Sequence, residues 1–103
     1  MNIVDRNIDH LILLCKKHKV SELYIYGSIL TDKFNDKSDI DFVVQFEKID
    51  IIEYFDNYMD FKEKIEILLD RPVDLLENQA IHNPVFRRII DRDKKLVYDR
   101  EST

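Results

Sequence analysis

The sequence predicts an α/β domain in which amphipathic helices alternate with short strands. Apolar residues recur at three- and four-residue steps over residues 4–19 and 53–70, which is the spacing of helices that bury one face. Short runs rich in β-branched and aromatic residues, at 23–26 and 40–46, are typical of strands. Because the two patterns alternate along the chain, we expect helices and strands to share one fold.

The composition favours one compact globular domain. At 103 residues the chain has room for a single hydrophobic core, so we expect one domain over residues 1–103, with its core at about 5–98. Hydrophobic residues make up 45% of the chain and charged residues 36%, and the formal net charge is −5 with a pI near 5.1. This acidity argues against broad, unaided binding to nucleic acid, which requires a basic surface.

The expected absence of a targeting signal and the single cysteine favour a reducing, cytoplasmic setting. Cys15 is the only cysteine, so it has no partner for an internal disulfide. Residues 1–6 lack a basic region followed by an apolar block, and we expect no signal peptide. The longest apolar run, at residues 11–15, is far too short to span a membrane.

The first predicted helix covers residues 4–19. Its apolar stripe should pack on the sheet, and it consists of Val4, Ile8, Leu11, Ile12 and Cys15. His10 and His18 stand among charged residues, so we predict that both lie on the surface.

The strand predicted at 23–26 is followed directly by Gly27 and Ser28. Gly27 is the only glycine of the chain, and we expect it where the backbone needs an unusual angle or where a ligand approaches closely. Ser28 is a suitable N-cap for a helix beginning near Ile29, whose free N–H groups and positive dipole end would suit phosphate. Taken alone, this pair also fits an ordinary turn between a strand and a helix.

Two aspartates open the next strand, predicted at 39–46. In an extended chain Ile40 and Phe42 face the core, so Asp39 and Asp41 share the opposite face. Neighbouring carboxylates raise each other's cost of ionisation, and a divalent cation such as Mg²⁺ relieves it. The Asp-x-Asp pattern alone is weak, because it recurs at 91–93 in a stretch predicted to be solvated surface.

A third acid follows the helix predicted at 53–70. The pair Arg71-Pro72 should end that helix, and residues 71–77 read as another strand with Asp74 opposite its apolar face. If this strand lies beside the one at 39–46, three carboxylates converge and could hold two magnesium ions for phosphate-ester chemistry. The alternative is that Asp74 is the polar side of an edge strand.

The C-terminal part contains one more helix and a last strand. Asn83 can cap a helix that starts at Pro84, and residues 96–98 favour a short strand before a disordered end at 101–103. Several basic residues make this part locally positive, and they form either an ordinary charged surface or a contact with an acidic partner or nucleotide phosphates; they are Arg87, Arg88, Arg92, Lys94, Lys95 and Arg100.

The combined motif resembles that of the DNA polymerase β-like nucleotidyltransferase superfamily. It consists of Gly27-Ser28, ten further residues, Asp39-Ile40-Asp41, and Asp74 on a later strand. Within the superfamily the chain is similar, over about residues 5–98, to the minimal nucleotidyltransferases of bacteria and archaea, which are often paired as antitoxins with HEPN-domain toxins. The resemblance implies a small mixed β-sheet flanked by helices, and transfer of a nucleoside monophosphate from ATP or a similar triphosphate.

The resemblance also implies a role for each motif residue. Gly27 and Ser28 would bind the triphosphate, and Asp39 and Asp41 would bind both Mg²⁺ ions. Asp74 would complete the metal site nearest the acceptor hydroxyl and help to deprotonate that hydroxyl. In some such pairs the antitoxin places AMP on a tyrosine of its toxin.

The chain departs from the family pattern directly after the Gly-Ser pair. Many members carry arginines there and then a glycine, whereas this chain has Ile29-Leu30-Thr31-Asp32-Lys33. Asp32 replaces the glycine, and Lys33 either supplies the missing positive charge to the nucleotide or points to solvent. Weak turnover, or nucleotide binding without turnover, is therefore an open alternative.

Three functions are consistent with these residues. The first is a magnesium-dependent enzyme that transfers AMP to a hydroxyl, preferably a tyrosine of a partner toxin, and the second is an antitoxin that neutralises its partner by contact alone. A small-molecule nucleotidyltransferase of the aminoglycoside-modifying kind is disfavoured, because the chain has no room for an acceptor domain. For the same reason we expect either a small helical HEPN-type partner or a homo-oligomer.

Overall fold

The computed structural model describes residues 2–102, with the backbone alone at Ser102. The elements, in chain order, are α1 (Ile3–Arg6), α2 (Ile8–Lys17), β1 (Val20–Tyr26), β2 (Ile40–Phe46), α3 (Ile51–Leu69), β3 (Val73–Glu77), α4 (Pro84–Asp93) and β4 (Lys95–Asp99).

The four strands form one mixed sheet in the order β3-β2-β1-β4. β1 is antiparallel to both β2 and β4, whereas β2 and β3 are parallel. A parallel pair needs a crossover connection, and α3 provides it. The predicted small mixed β-sheet flanked by helices is therefore confirmed.

One face of the sheet packs against α2 and α3 and forms the main hydrophobic core. β1 and β2 contribute alternate residues to this face, such as Leu23 and Phe42, both fully buried. The helices contribute Cys15 from α2 and Phe61 and Ile65 from α3, also fully buried. The predicted core position of Cys15 is thus confirmed, and burial raises the pKa of its thiol to about 12.

The opposite face is partly covered by α4. Val43 is buried there with Ile81 and Ile90, while Tyr24 and Leu76 pack around them. Val43 lies on the same face as Asp41, and α4 returns over this part of the sheet and covers it. Asp74 of the neighbouring row is exposed, and Asp41 is half-buried.

The N-terminal helical segment is broken at Asn7. The prediction of one helix over 4–19 is wrong here, because Asn7 leaves helical geometry and its side-chain amide donates to the Ile3 carbonyl, 2.8 Å away. Asn2 and Asp5 form a capping box at the first turn. The second helix ends at Lys17, and Lys19 takes a positive φ of 58° before β1 begins.

His18 is buried, so its predicted surface position is also wrong. Its Nδ1 lies 2.8 Å from the Leu14 carbonyl oxygen, and its Nε2 lies 2.6 Å from Asp60 Oδ2. Both ring nitrogens therefore have a polar partner, one on α2 and one on α3. His18 therefore joins α2 to α3, with its ring tilted against Phe61.

The remaining boundaries differ by a few residues from those predicted. α3 begins at Ile51, because the Asp50 side chain accepts from the Ile52 amide. It ends at Leu69, and Asp70 caps it in a left-handed conformation, before Pro72. Asn83 caps α4 as predicted, accepting from the Val85 and Phe86 amides. Residues 100–102 form a 3-10 turn, so disorder was wrongly predicted for 101–102, and Thr103 lies outside the described residues.

Among residues 2–102 there is no helix with the length and apolar character of a membrane span.

Candidate active site

Three side chains lie in one row across the sheet, at the end where β1 finishes and where β2 and β3 begin. Tyr26 of β1 is the cross-strand partner of Asp41 of β2, and Asp41 is the partner of Asp74 of β3. Residues paired in this way point to the same face of a sheet. The predicted meeting of Asp41 with Asp74 on neighbouring strands therefore has a definite register, and Tyr26 joins it.

Contacts from α3 help to set the register of β3. Glu66 Oε2 accepts from the Val73 amide at 2.9 Å, and the Tyr58 hydroxyl donates to the Leu75 carbonyl. The Ile40 amide donates to the Pro72 carbonyl at 3.2 Å and so aligns the starts of β2 and β3. Asp74 is held opposite Asp41 by these bonds.

Gly27 meets two independent constraints at the end of β1. Its φ is +80°, a region that residues with a side chain rarely adopt. A Cβ at this position would lie 2.6 Å from Asp41 Oδ2, far inside van der Waals contact. The sole glycine thus provides both the turn and the space for the Asp41 carboxylate.

The helix predicted from Ile29 does not form. Residues 27–30 make a single 3-10 turn instead, Ile29 is buried in the core, and Thr31 is already extended. Ser28 makes no N-cap bond; its carbonyl accepts from the Thr31 amide at 2.9 Å and from the Thr31 hydroxyl at 2.8 Å. One turn offers a phosphate far less dipole than a full helix.

Electrostatics at the row are dominated by uncompensated negative charge. The pKa of Asp41 is raised, chiefly by burial and then by the nearby charges of Asp74 and Asp39. The pKa of Tyr26 is raised to about 12 by burial and by Asp41 and Asp74, so this phenol stays neutral. Within residues 2–102, neither an ion pair nor a side-chain hydrogen bond is recorded for Asp39, Asp41 or Asp74.

The donor set suits a hard cation only in part. Carboxylate oxygens are the ligands that Mg²⁺ prefers, and the unneutralised Asp41–Asp74 pair offers them. In the described part of the chain, however, no three acidic, histidine or cysteine side chains are grouped closely enough to hold an ion. Asp39 lies one residue before β2 and is exposed. Its negative charge contributes to the raised pKa of Asp41.

The loop between the turn and β2 carries Lys33 and leads to Asp39. Lys33 is exposed, and its backbone amide donates to the Thr31 hydroxyl at 3.2 Å. Arg71 holds the far end of the loop: its guanidinium donates to the Asn35 and Ser38 carbonyls at 2.8 and 2.9 Å and lies 4.5 Å from the Phe34 ring centre. Sequence reasoning missed this anchor, because Arg71 is distant along the chain and carries no local signal.

Tyr26 is the other site residue that sequence reasoning missed. Its position directly before Gly27 was the available signal, but only strand pairing places it beside Asp41. Phe86 of α4 contacts it, with ring centres 6.4 Å apart and planes at 75°.

The chain matches known proteins in sequence and in fold. Residues 9–103 match the family described as Polymerase beta, Nucleotidyltransferase. Two Methanocaldococcus jannaschii proteins, each named a putative protein adenylyltransferase, are 33% and 34% identical over 89 and 90 residues, which is 86% of this chain and 86% of each relative.

Solved structures show the same fold at lower identity. A chain described as a putative minimal nucleotidyltransferase has a TM-score of 0.74 at 22% identity and covers 92% of this chain and 95% of that one. A chain of a toxin–antitoxin crystal structure with AMP-PNP has a TM-score of 0.68 at 23% identity, covering 90% and 73%. A chain of a tri-AMPylated Shewanella oneidensis HEPN toxin in complex with MNT antitoxin reaches 0.63 at 21%, covering 95% and 74%.

The family match spans nearly the whole chain, and two relatives exceed 30% identity over 86% of it. This chain belongs to the polymerase beta nucleotidyltransferase family.

Proposed function

We propose that this protein transfers AMP from ATP to a hydroxyl group of another protein, most simply a tyrosine of a small helical HEPN-type partner. The observation that carries the proposal is the Asp41–Asp74 pair, held side by side on parallel strands next to the Gly27 turn. The names of the Methanocaldococcus jannaschii relatives and the AMPylated toxin of the Shewanella oneidensis complex support the choice of AMP and of a protein acceptor.

The proposed chemistry assigns a task to each residue of the site. The Gly27-Ser28 turn binds the triphosphate through its backbone, and Lys33 adds a positive charge from the loop. Asp39, Asp41 and Asp74 would hold Mg²⁺, which would supply charge neutralisation to the phosphate groups. To share an ion, the three carboxylates would have to approach one another, because the described residues contain no three ligands grouped that closely.

The proposed reaction is an in-line displacement at the α-phosphate. The acceptor hydroxyl oxygen forms a bond to the α-phosphorus, the bond to the β-phosphate oxygen breaks, and pyrophosphate leaves. The Asp74 carboxylate takes the proton of the hydroxyl. In this proposal the acceptor hydroxyl belongs to another protein, the HEPN-type partner.

A transfer assay with matched variants tests this proposal. The protein is incubated with Mg²⁺, ATP labelled at the α-phosphate, and each HEPN-type protein encoded in the same genome. Outer-shell changes at metal sites cost about 10- to 100-fold, so loss of a direct ligand in Asp41→Asn or Asp74→Asn should lower labelling by at least about 100-fold. Asp93→Asn, from the exposed Asp91-Arg92-Asp93 repeat of the motif, should leave labelling unchanged.

Labelling that persists in Asp41→Asn, or no labelling of any partner by the unaltered protein, would contradict the proposal. Dependence on the metal is checked in the same assay by adding a chelator, which should abolish labelling, and by restoring Mg²⁺.

A second candidate is an antitoxin that acts by binding alone. It is favoured by the segment after Ser28, where the buried Ile29 and the exposed Thr31 stand at positions at which many family members carry arginines. The same Asp41→Asn variant separates the two: full rescue of cell growth from the partner toxin supports binding alone, whereas loss of rescue with intact folding supports catalysis.

A further inference from the structure

α4 lies over the sheet in a definite register. Ile90 packs on Val43, in the apolar row next to the acidic one. Phe86 precedes Ile90 by four residues and therefore lies on the same side of the helix, one turn nearer the helix start. That turn places the Phe86 ring beside Tyr26, at the edge of the row that contains Asp41 and Asp74.

The Phe86 ring is not part of either hydrophobic core. It is 38% exposed, whereas Ile90 on the same side of α4 is 2% exposed. Its contact with Tyr26 is edge-to-face, so the two rings form a corner with free aromatic surface. A half-exposed aromatic ring at the border of an acidic site is a surface on which another planar ring can stack.

The neighbouring polar groups are occupied by structural bonds. Asn83 Oδ1 accepts from the Val85 and Phe86 amides at 2.9 and 3.1 Å. The Arg87 guanidinium donates to the Asn78 side-chain oxygen at 2.8 Å and to the Asn78 carbonyl. These bonds fix the start of α4 and with it the position of the aromatic corner.

We propose that Phe86, supported by Tyr26, is the stacking surface for the base of the bound nucleoside triphosphate. This rests on the proposed function in one respect, namely that the Gly27 turn holds the triphosphate. Tyr26 is the residue directly before Gly27, so a nucleotide whose triphosphate binds at Gly27 would lie close to the Tyr26–Phe86 corner. Stacking tolerates any base, since each has a π face.

A tryptophan variant reports on stacking without any need for catalysis. The chain contains no tryptophan, so Phe86→Trp introduces a single indole fluorophore at the corner. AMP-PNP with Mg²⁺ should quench its fluorescence, whereas inorganic tripolyphosphate with Mg²⁺, which has no base, should not. Equal responses to the two ligands would overturn the proposal.

The affinities of Phe86 variants for AMP-PNP and for tripolyphosphate test the same stacking contact. Phe86→Ala should weaken AMP-PNP binding by about fivefold to a hundredfold, as base–aromatic stacking does elsewhere, and leave tripolyphosphate binding unchanged. Phe86→Leu keeps the apolar bulk without the π face and should show the same selective loss. Phe55→Ala, which removes a ring that is 66% exposed on α3, should change neither affinity.

Calorimetry of ligand binding, carried out together with the transfer assay, distinguishes the base site from the transfer reaction by three outcomes. A selective loss of AMP-PNP affinity supports the base site, whether or not transfer is observed. Unchanged AMP-PNP affinity in both Phe86→Ala and Phe86→Leu overturns the base site and leaves the transfer reaction standing. Binding of neither AMP-PNP nor tripolyphosphate to the unaltered protein overturns both proposals.

Discussion

Gly27 shows how one residue can serve the backbone and the site together. A φ of +80° disfavours every residue with a Cβ, and that Cβ would fall 2.6 Å from Asp41 Oδ2. Lys19 and Asp70 also have positive φ values, of 58° and 53°, so the chain tolerates side chains in this region elsewhere. At Gly27 the close carboxylate, in addition to the angle, excludes them.

We expect Gly27→Ala to destabilise the fold and to displace Asp41. The unfavourable backbone alone costs about 1–3 kcal/mol, and the contact with Asp41 adds to it. In an Asp41→Ala background the contact is gone, so the added cost of Gly27→Ala should fall by more than about 0.5 kcal/mol. Urea unfolding of the four proteins measures this coupling, and strictly additive costs would contradict the contact.

At the scale of elements, the helices are joined to one another by a polar bridge as well as by the core. Asp60 of α3 accepts from His18 at the end of α2 and from Lys64 one turn later, at 2.6 and 3.0 Å. The hydrogen bonds from His18 and Lys64 lower the pKa of the half-exposed Asp60 carboxyl to about 2. Asn57 Nδ2 also donates to the His18 carbonyl at 2.8 Å, so the α2–α3 junction has several ties.

This bridge predicts a dependence of stability on acid. The folded pKa of Asp60 lies below its ordinary value of 3.8, so its contribution is complete above about pH 4 and is lost as the pH falls towards 2. We expect Asp60→Asn to lower the free energy of unfolding at neutral pH and to remove part of the acid sensitivity between about pH 4 and 2.

Urea titrations at several pH values measure this dependence, with Asp56→Asn on the exposed side of the same helix as the control. A wild-type and an Asp60→Asn protein with parallel pH profiles would contradict the role of the bridge.

At the scale of the whole molecule, the site depends on a single main core. The sheet carries that core on one face, where Phe61 of α3 is fully buried, and the smaller Val43–Ile90 cluster on the other. A domain of this size is stable by about 5–15 kcal/mol, so the loss of one large core ring is a considerable fraction of the total. The acidic row depends on this core, because β1, β2 and β3 carry both the row and the core residues.

We expect Phe61→Ala to cost about 3–5 kcal/mol and to weaken nucleotide binding in step with folding. Phe55→Ala on the same helix, whose ring is 66% exposed, should cost less than about 1 kcal/mol. Thermal and urea unfolding monitored by circular dichroism distinguish the two variants. Comparable losses in both would show that the core is not organised as described.

Local patterns predicted most of the elements and failed where distant segments meet. The Asn83 cap and the amphipathic stripe of α3 are set by neighbours in the chain, and they are present in the structure. His18 was misplaced, because its partner Asp60 lies far along the chain. The helix predicted after Ser28 failed because the core draws Ile29 inward and leaves room for one turn only.

Residue types at short spacing were enough to indicate the family, the turn at the lone glycine and the aspartates of the motif. The common row of Tyr26, Asp41 and Asp74, and the position of Phe86 of α4 at its edge, emerge only when the strands are paired and the helix is placed. Strand register and helix placement follow from the packing of the whole sheet, which involves residues far apart in the chain.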